Sequence, residues 1–259
     1  MNSKKEIAIN VIQSIETGDQ SAFTAINPNK YIQHNLSMTD GVEGIINVLD
    51  SVPQGVLKAK CIRAFEDGEY AIVHTEYDFF GPITGFDVFR FENNLIVEHW
   101  DNIQNKWDPN KSGRTMTDGT TEINDLDKTD ENKKTAETLI KEVFIGGAGN
   151  TIGNYMDPNF LQHNPHGADG MQGMGVLMEY YNGSGNILRY DRLHKVLGQG
   201  NFVLTIGEGL YGLNGGVPTT FYDLFRFENG KVVEHWDVME AQLEASKQKN
   251  SNGKFNFPQ

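Results

Sequence analysis

Two carboxylates and an imidazole occur twice in this 259-residue chain with the same spacing: Asp87, His99 and Asp101, then Asp223, His235 and Asp237. A histidine flanked by two carboxylates is favoured in its protonated form, and a carboxylate set against aromatic rings is partly desolvated. Such a group is suited to moving a proton near neutral pH. The residues lie in Phe89-Arg90-Phe91-Glu92-Asn93-Asn94-Leu95-Ile96-Val97-Glu98-His99-Trp100-Asp101. The chain repeats that stretch as Phe225-Arg226-Phe227-Glu228-Asn229-Gly230-Lys231-Val232-Val233-Glu234-His235-Trp236-Asp237.

Each copy reads as a β-hairpin, because aromatic and β-branched residues flank a turn sequence. A three-residue loop, with Gly230 or Asn94 in the left-handed position, is the expected connection. It puts Arg90, Glu98 and Trp100 on one face, with opposite charges on neighbouring strands. Asp87, Phe89, Phe91, Val97, His99 and Asp101 take the other face, Asp87 directly across from His99. The second copy places Asp223, Phe225, Phe227, Val233, His235 and Asp237 in the same way.

The rest of the chain supplies the scaffold for these walls. Ser3-Lys4-Lys5-Glu6 is a capping box ahead of Ile7, Val11, Ile12 and Ile15 at helical spacing, and Gly18 ends that helix. Tyr31 to Leu36 is extended, Asp40 caps a second helix, and short strands follow from Lys58. Helices followed by consecutive strands give an α+β class. The repeat divides the chain into a first domain over 1–107, a linker over 108–129, a second domain over 130–245 and a tail over 246–259. The second copy carries seven more residues between its two motif histidines, His163 and His235, than the first does between His34 and His99: 72 against 65. Its glycine-rich stretches, Asn182 to Gly185 and Asn214 to Gly216, are the expected places for them. The linker is expected to lie over the surface, and the tail to be exposed apart from Phe255 and Phe257.

A formal charge of −13 without a Lys/Arg cluster argues against nucleic acid and anionic membrane as partners. No apolar run is long enough for a signal or a membrane span. The single cysteine, Cys61, cannot form an intrachain disulfide and reads as a buried apolar residue, which fits a reducing, cytoplasmic setting. Gly146-Gly147-Ala148-Gly149 follows a helix and is a poor dinucleotide site, and no dedicated metal-ligand spacing occurs. Neither metal nor cofactor is expected.

A helical start, Gln33-His34-Asn35 and Gln162-His163-Asn164 before Asp-Gly helix starts, and hairpins ending Glu-His-Trp-Asp together resemble the SnoaL-like branch of the nuclear transport factor 2-like superfamily, duplicated in tandem. The resemblance implies two cone-shaped α+β barrels, each a curved antiparallel sheet wrapped on N-terminal helices around a ligand pocket. It implies that Asp101 and Asp237 match the acid/base aspartate of the polyketide cyclases of this group. Asp87 and Asp223 match the position where ketosteroid isomerases carry an oxyanion-binding aspartic acid, and His99 and His235 depart from the isomerase pattern. The leading expectation is a cofactor-independent aldol-type cyclase or isomerase acting on a small apolar carbonyl compound. The alternatives are a non-catalytic small-molecule binder with the same fold and a scaffold with filled cones.

His34 and His163, ending the extended segments, are expected with Phe89 and Phe225 to contact the ligand. Asp40 and Asp169 are expected to be helix caps. Relatives of this group pair through outer sheet faces, so Trp100 and Trp236 are expected to be exposed there and to join the two halves as an intramolecular pseudo-dimer, with a further homodimer left open. The second pocket is expected to be the better functional candidate, given Pro165-His166-Gly167, its glycine rims and a helix bearing Met171, Met174, Met178, Tyr180 and Tyr181.

Overall fold

The computed structural model describes residues 2–53, 55–183 and 185–258, with the side chains of 182 and 183 also left undescribed. It divides into a first unit, Met1–Asn105 with Leu243–Gln259, and a second, Lys106–Gln242. In the first unit, α1 (Lys4–Thr17) is followed by β1 (Ile32–Gln33), α2 (Val42–Asp50), β2 (Lys58–Asp67), β3 (Tyr70–Asp78), β4 (Pro82–Glu92) and β5 (Leu95–Asn105). The second unit repeats the order: α3 (Thr129–Thr138), prolonged by a wider turn over Leu139–Ile145, then β6 (Met156–Gln162), α4 (Gly170–Gly183), β7 (Asn186–Gln199), β8 (Phe202–Leu213), β9 (Val217–Glu228) and β10 (Lys231–Ala241). The sheets have strand orders β1-β5-β4-β3-β2 and β6-β10-β9-β8-β7. Each is an open sheet with two edges, so the cone-shaped α+β fold is a sheet with helices and not a closed barrel.

The helices form as their sequences dictate. Ser3 and Glu6 make the reciprocal capping box of α1, and Gly18, at φ 69°, closes it in the left-handed conformation that glycine adopts without strain. Ala8, Val11 and Ile12 bury the inner face of α1 against Phe89, Phe91 and Ile96. In the second unit Ala136, Leu139, Ile140 and Val143 pack on Phe225, Phe227 and Val232.

Both hairpins correct the expected turn. Glu92 pairs directly with Leu95, and Glu228 with Lys231, across two-residue turns. Asn93 and Asn94 have φ of 50° and 63°, and Asn229 and Gly230 have 51° and 74°. That is a type I′ turn, whose twist matches the flanking strands. The odd residue sits further along as a β-bulge: Arg90 pairs with Glu98 and Phe91 with Ile96, leaving Val97 between them, and Val233 is bulged alike. A bulge shifts face parity by one residue, as a third loop residue would. Arg90, Glu98 and Trp100 therefore share a face as expected. Ile96 and Val232, rather than Val97 and Val233, enter the cores.

The seven extra residues of the second copy do not widen glycine loops. They lengthen elements: α4 has 14 residues against 9 in α2, and β7 has 14 against 10 in β2. Asn182 and Gly183 lie within α4, and Ser184 is outside the described residues.

The expected linker and tail are parts of the units. Leu243–Gln259 belongs to the first unit although it follows β10, and the stretch after β5 from Lys106 belongs to the second. Phe257 stacks on Trp100 at 4.5 Å between ring centroids, and His34 stacks there at 4.3 Å. In the second unit Trp236 Nε1 donates to Asp118 O at 2.9 Å, and His163 stacks on Trp236 at 4.7 Å. Gly119 is needed at this approach: at φ 93°, a Cβ would lie 2.1 Å from Glu234 Oε1. The two tryptophans expected to be exposed are thus fully buried, each against residues of its own unit. In each unit a strap of chain covers the tryptophan.

Candidate active site

The bulge gives the site a register different from the expected one. Phe89, not Asp87, lies across from His99, and Asp87 lies across from Asp101. The imidazole nonetheless reaches diagonally, with Nε2 3.1 Å from Asp87 Oδ1. Its Nδ1 is 3.1 Å from Gln33 Oε1, which also accepts from the Asn35 backbone N–H at 2.9 Å. Gln33 Nε2 donates to the Tyr31 hydroxyl at 3.0 Å, so the amide orientation is fixed and its oxygen faces the ring. Nδ1 must then carry hydrogen. Nε2 and Asp87 consequently share one further proton, carried either by the ring or by the carboxyl. Asp87 Oδ2 accepts from the Tyr77 hydroxyl at 2.5 Å and from Thr75 at 3.2 Å. Asn35 Nδ2 donates to Asp101 Oδ2 at 2.6 Å, while Asp101 Oδ1 is buried with no hydrogen-bond partner among the described residues.

The second unit rebuilds the cluster. His235 lies 3.1 Å from Asp223 Oδ1 and 3.0 Å from Gln162 Oε1, and Asn164 donates to Asp237 Oδ2 at 2.6 Å. Asp237 Oδ1 is again buried and unpartnered among the described residues. Burial holds the Asp237 carboxyl above the usual carboxylate range. Burial would lower His235, but its hydrogen bond to Asp223 and the charges of Asp237 and Asp223 outweigh it and raise the imidazole.

One difference between the copies bears on function. In the first unit the hydroxyl donor to Asp87 is Tyr77 on β3, paired across the strands with Ala59 on β2. At the matching place in the second unit the pair is Gly209 on β8 with Tyr190 on β7, and the Tyr190 hydroxyl lies 3.1 Å from both oxygens of Asp223. The tyrosine has changed strands while its hydroxyl serves the same aspartate. Simple inheritance would have kept it in one position, so the hydrogen bond itself is what both copies retain. Burial and then the neighbouring aspartate raise both phenols well above their ordinary value, so each stays a donor.

In the first unit Asp87, His99, Asp101, Gln33 and Asn35 form the polar wall of a cavity of about 290 Å³. The rest of its lining is mostly apolar, including Val11, Ile12, Phe23, Ile45, Leu49 and Phe89. Phe89 stacks on His99 at 4.6 Å. In the second unit the longer α4 brings in Tyr181, only 1% exposed, whose phenol is raised first by burial and then by the charge of Asp237. Phe225 stacks on His235 at 5.0 Å within the core.

Each His and its two aspartates offer ligand atoms within 4.8 Å of one another, close enough to hold a metal ion. Amide and hydroxyl donors point at Asp101 Oδ2 and Asp87 Oδ2, and Asp87 Oδ1 faces His99; such outer donors orient a carboxylate equally for a proton or for a metal ion.

His34 and His163 are not pocket residues. Strand alternation turns them to the opposite face, where His34 Nδ1 donates to Gly253 O at 2.7 Å and His163 lies 2.9 Å from Glu234. Burial lowers the His34 pKa to about 4. Their neighbours Gln33, Asn35, Gln162 and Asn164 hold the site; period two in Gln-His-Asn was the available signal. Asp40 does not cap α2, whose N-cap is Gly41 with no side-chain cap bond, and Asp169 directly precedes α4. They accept from the backbone N–H groups of Gln33 and Gln162 at 2.9 and 3.0 Å, pinning the strands that carry the site amides. His166 meets Trp107 edge-on at 5.2 Å and stacks on Tyr180 at 5.3 Å. Cys61, its thiol pushed up to about 12 by burial, is no nucleophile.

Each unit has an α+β fold, and the solved structures similar to the chain include proteins described as NTF2-like. An NTF2-like protein of unknown function from Cytophaga hutchinsonii is 14% identical, covering 40% of this chain and 92% of its own, with a TM-score of 0.35. IdmH from Streptomyces antibioticus, described as a candidate polyketide cyclase, is 18% identical, covering 42% and 91%, at 0.34. An LEH-like epoxide hydrolase from M. tuberculosis is 14% identical, covering 44% and 85%, at 0.36. No protein-family model and no curated protein matches the chain. Among the described residues no helix is long and apolar enough to cross a membrane.

Proposed function

We propose that the chain is a cofactor-independent acid/base enzyme of SnoaL type, with its working site in the first unit. Its substrate is a small, largely apolar carbonyl compound, and its reaction is an aldol-type ring closure or isomerisation. The observation that carries this reading is Asp101 Oδ1: a buried carboxylate oxygen without a hydrogen-bond partner among the described residues, on a residue in the polar wall of a mostly apolar cavity. Asp101 takes the proton from the carbon next to the carbonyl; the C–H electron pair becomes the new C=C bond, and the carbonyl π pair moves onto oxygen to give an enolate. The proton shared by His99 and Asp87 is then offered to that oxygen, with Tyr77 and Thr75 holding Asp87 in place. Tyr181 beside Asp237 supports giving the second unit the lesser role, which reverses the sequence expectation. Cys61 as a thiol fits work in a reducing, cytoplasmic setting.

A bicyclic ketone such as 2-tetralone suits the size and apolarity of the cavity, and its α-hydrogens report enolisation. Proton NMR in D₂O is expected to show exchange catalysed by the wild-type protein and abolished in Ile45→Trp, which fills the cavity. Binding of the ketone without exchange would favour the non-catalytic binder. Equal exchange by Ile45→Trp would remove the cavity from the account.

A further inference from the structure

The C-terminal strap brings a cation to the first site. Lys254 Nζ lies 3.5 Å from Asp101 Oδ1, and the two side chains are only 11% and 9% exposed. The approach is built rather than incidental. Lys249 N donates to Leu36 O at 2.8 Å, Asn250 Nδ2 to Asn35 O at 2.8 Å and Met38 O at 2.9 Å, and Asn252 Nδ2 to Gln33 O at 2.9 Å. The strap thus grips the segment whose side chains, Gln33 and Asn35, orient His99 and Asp101. Phe257 on Trp100 anchors its far end.

The second unit holds the same device with a different outcome. Asn110-Lys111-Ser112-Gly113-Arg114 matches Asn250-Ser251-Asn252-Gly253-Lys254, and Gly113 and Gly253 share a φ of 78°. Asn110 Nδ2 donates to Gln162 O at 2.5 Å. Arg114, in the place of Lys254, forks onto Asp169 at 2.7 and 2.8 Å. A guanidinium prefers such a two-pronged partner, whereas a lysine acts as a point charge.

We infer that Lys254 is a positioning residue of the first site, holding Asp101 as the carboxylate that accepts the substrate proton. This rests on the acid/base reading above. The ammonium favours the charged carboxylate, while its 3.5 Å separation falls short of a tight hydrogen bond and leaves Oδ1 able to take a proton. The other groups facing Asp101 are His99 on its own strand, Asp87 on β4, Tyr77 on β3 and Tyr31 ahead of β1. Lys254 itself also faces His34, and Asp40 lies on the same side.

Two measurements on the full chain test this. Trace acetylation read by mass spectrometry needs no substrate. Lys254 is expected to react at least about tenfold more slowly than the exposed Lys58 and Lys247, and several-fold faster in Asp101→Asn, once its partner charge is gone. Labelling as fast as Lys58, or no response to Asp101→Asn, would overturn the pairing. In the exchange assay, Lys254→Met is expected to lose about tenfold on the acidic limb of the pH profile, which moves up by about one unit, with KM unchanged and activity largely restored by Lys254→Arg. A loss with an unmoved pH profile would mean a structural role only and overturn the inference. If the wild type exchanged no substrate proton, the acid/base reading would fall, and labelling would still decide the ion pair.

Discussion

Tyr77→Phe removes one oxygen atom and tests whether the tyrosine hydroxyl is held for Asp87. Tyr77 is 5% exposed and Asp87 3%, so bulk water screens the bond little. The 2.5 Å bond is the shorter of two hydroxyl contacts to Oδ2, the other being Thr75 at 3.2 Å. Hydrogen bonds to buried charged groups are worth about 1.5–3 kcal/mol, roughly a ten- to hundredfold change in the folded-to-unfolded ratio. Urea unfolding, with hydrogen exchange of β3–β4 peptides to isolate the first unit, measures it. The second unit supplies a sharper comparison. Tyr77→Gly alone removes both the hydroxyl and the packing of a buried ring, and Ala59→Tyr with Tyr77→Gly recreates the Tyr190–Gly209 pair in the first unit. The double variant is expected to recover about 1 kcal/mol or more over Tyr77→Gly. Tyr77→Phe within about 0.5 kcal/mol of wild type, the usual range for a substitution that touches nothing important, or a double variant no better than Tyr77→Gly, would refute the reasoning.

Further outcomes follow from the same structure. His34 has its folded-state pKa lowered from 6.5 to about 4, chiefly by burial, so its neutral form contributes stability above pH 6.5 that is lost as the pH falls toward and below 4. The difference of about 2.5 units corresponds to about 3 kcal/mol, and urea unfolding at pH 7 and pH 4 should show His34→Gln flattening that part of the acid sensitivity. Gly209→Ala places a Cβ 1.8 Å from Arg189 O, so the second unit should lose about 2 kcal/mol or more, seen as lost protection in β7 and β8 peptides by hydrogen exchange. Cys61, with its thiol pushed up to about 12, should resist a disulfide reagent at pH 8 in the folded protein and react at once in urea.

Much of the site could be read from the repeated hairpin, because the alternation of aromatic and charged residues fixes which side chains share a face. Misplacing the extra residue in the turn did not disturb the faces, since the bulge at Val97 shifts parity equally. It did misplace Asp87, which sits across from Asp101 and reaches His99 diagonally. His34 and His163 drew attention because imidazole is reactive, although strand alternation assigns the pocket to Gln33 and Asn35. The strap motif Asn-x-x-Gly-Arg/Lys went unread because its copies stand at different distances from their hairpins: Asn110 is nine residues after Asp101, and Asn250 is thirteen after Asp237. Tyr77 and Tyr190 could not be matched from sequence at all. Their equivalence appears only across the strand pairs Ala59–Tyr77 and Tyr190–Gly209.

The central claim is that Asp101 moves a proton to and from a ligand in the first unit's cavity. The most direct measurement compares Asp101→Asn with wild type for α-proton exchange of 2-tetralone and, in the same samples, for its binding by titration. The amide keeps the size of the side chain and can still meet Asn35, but it cannot accept the proton. A loss of about hundredfold or more in exchange, the usual contribution of a positioned general base, with affinity unchanged within about threefold, is the result expected. Exchange unaffected by Asp101→Asn, or affinity falling in step with exchange, would contradict the account.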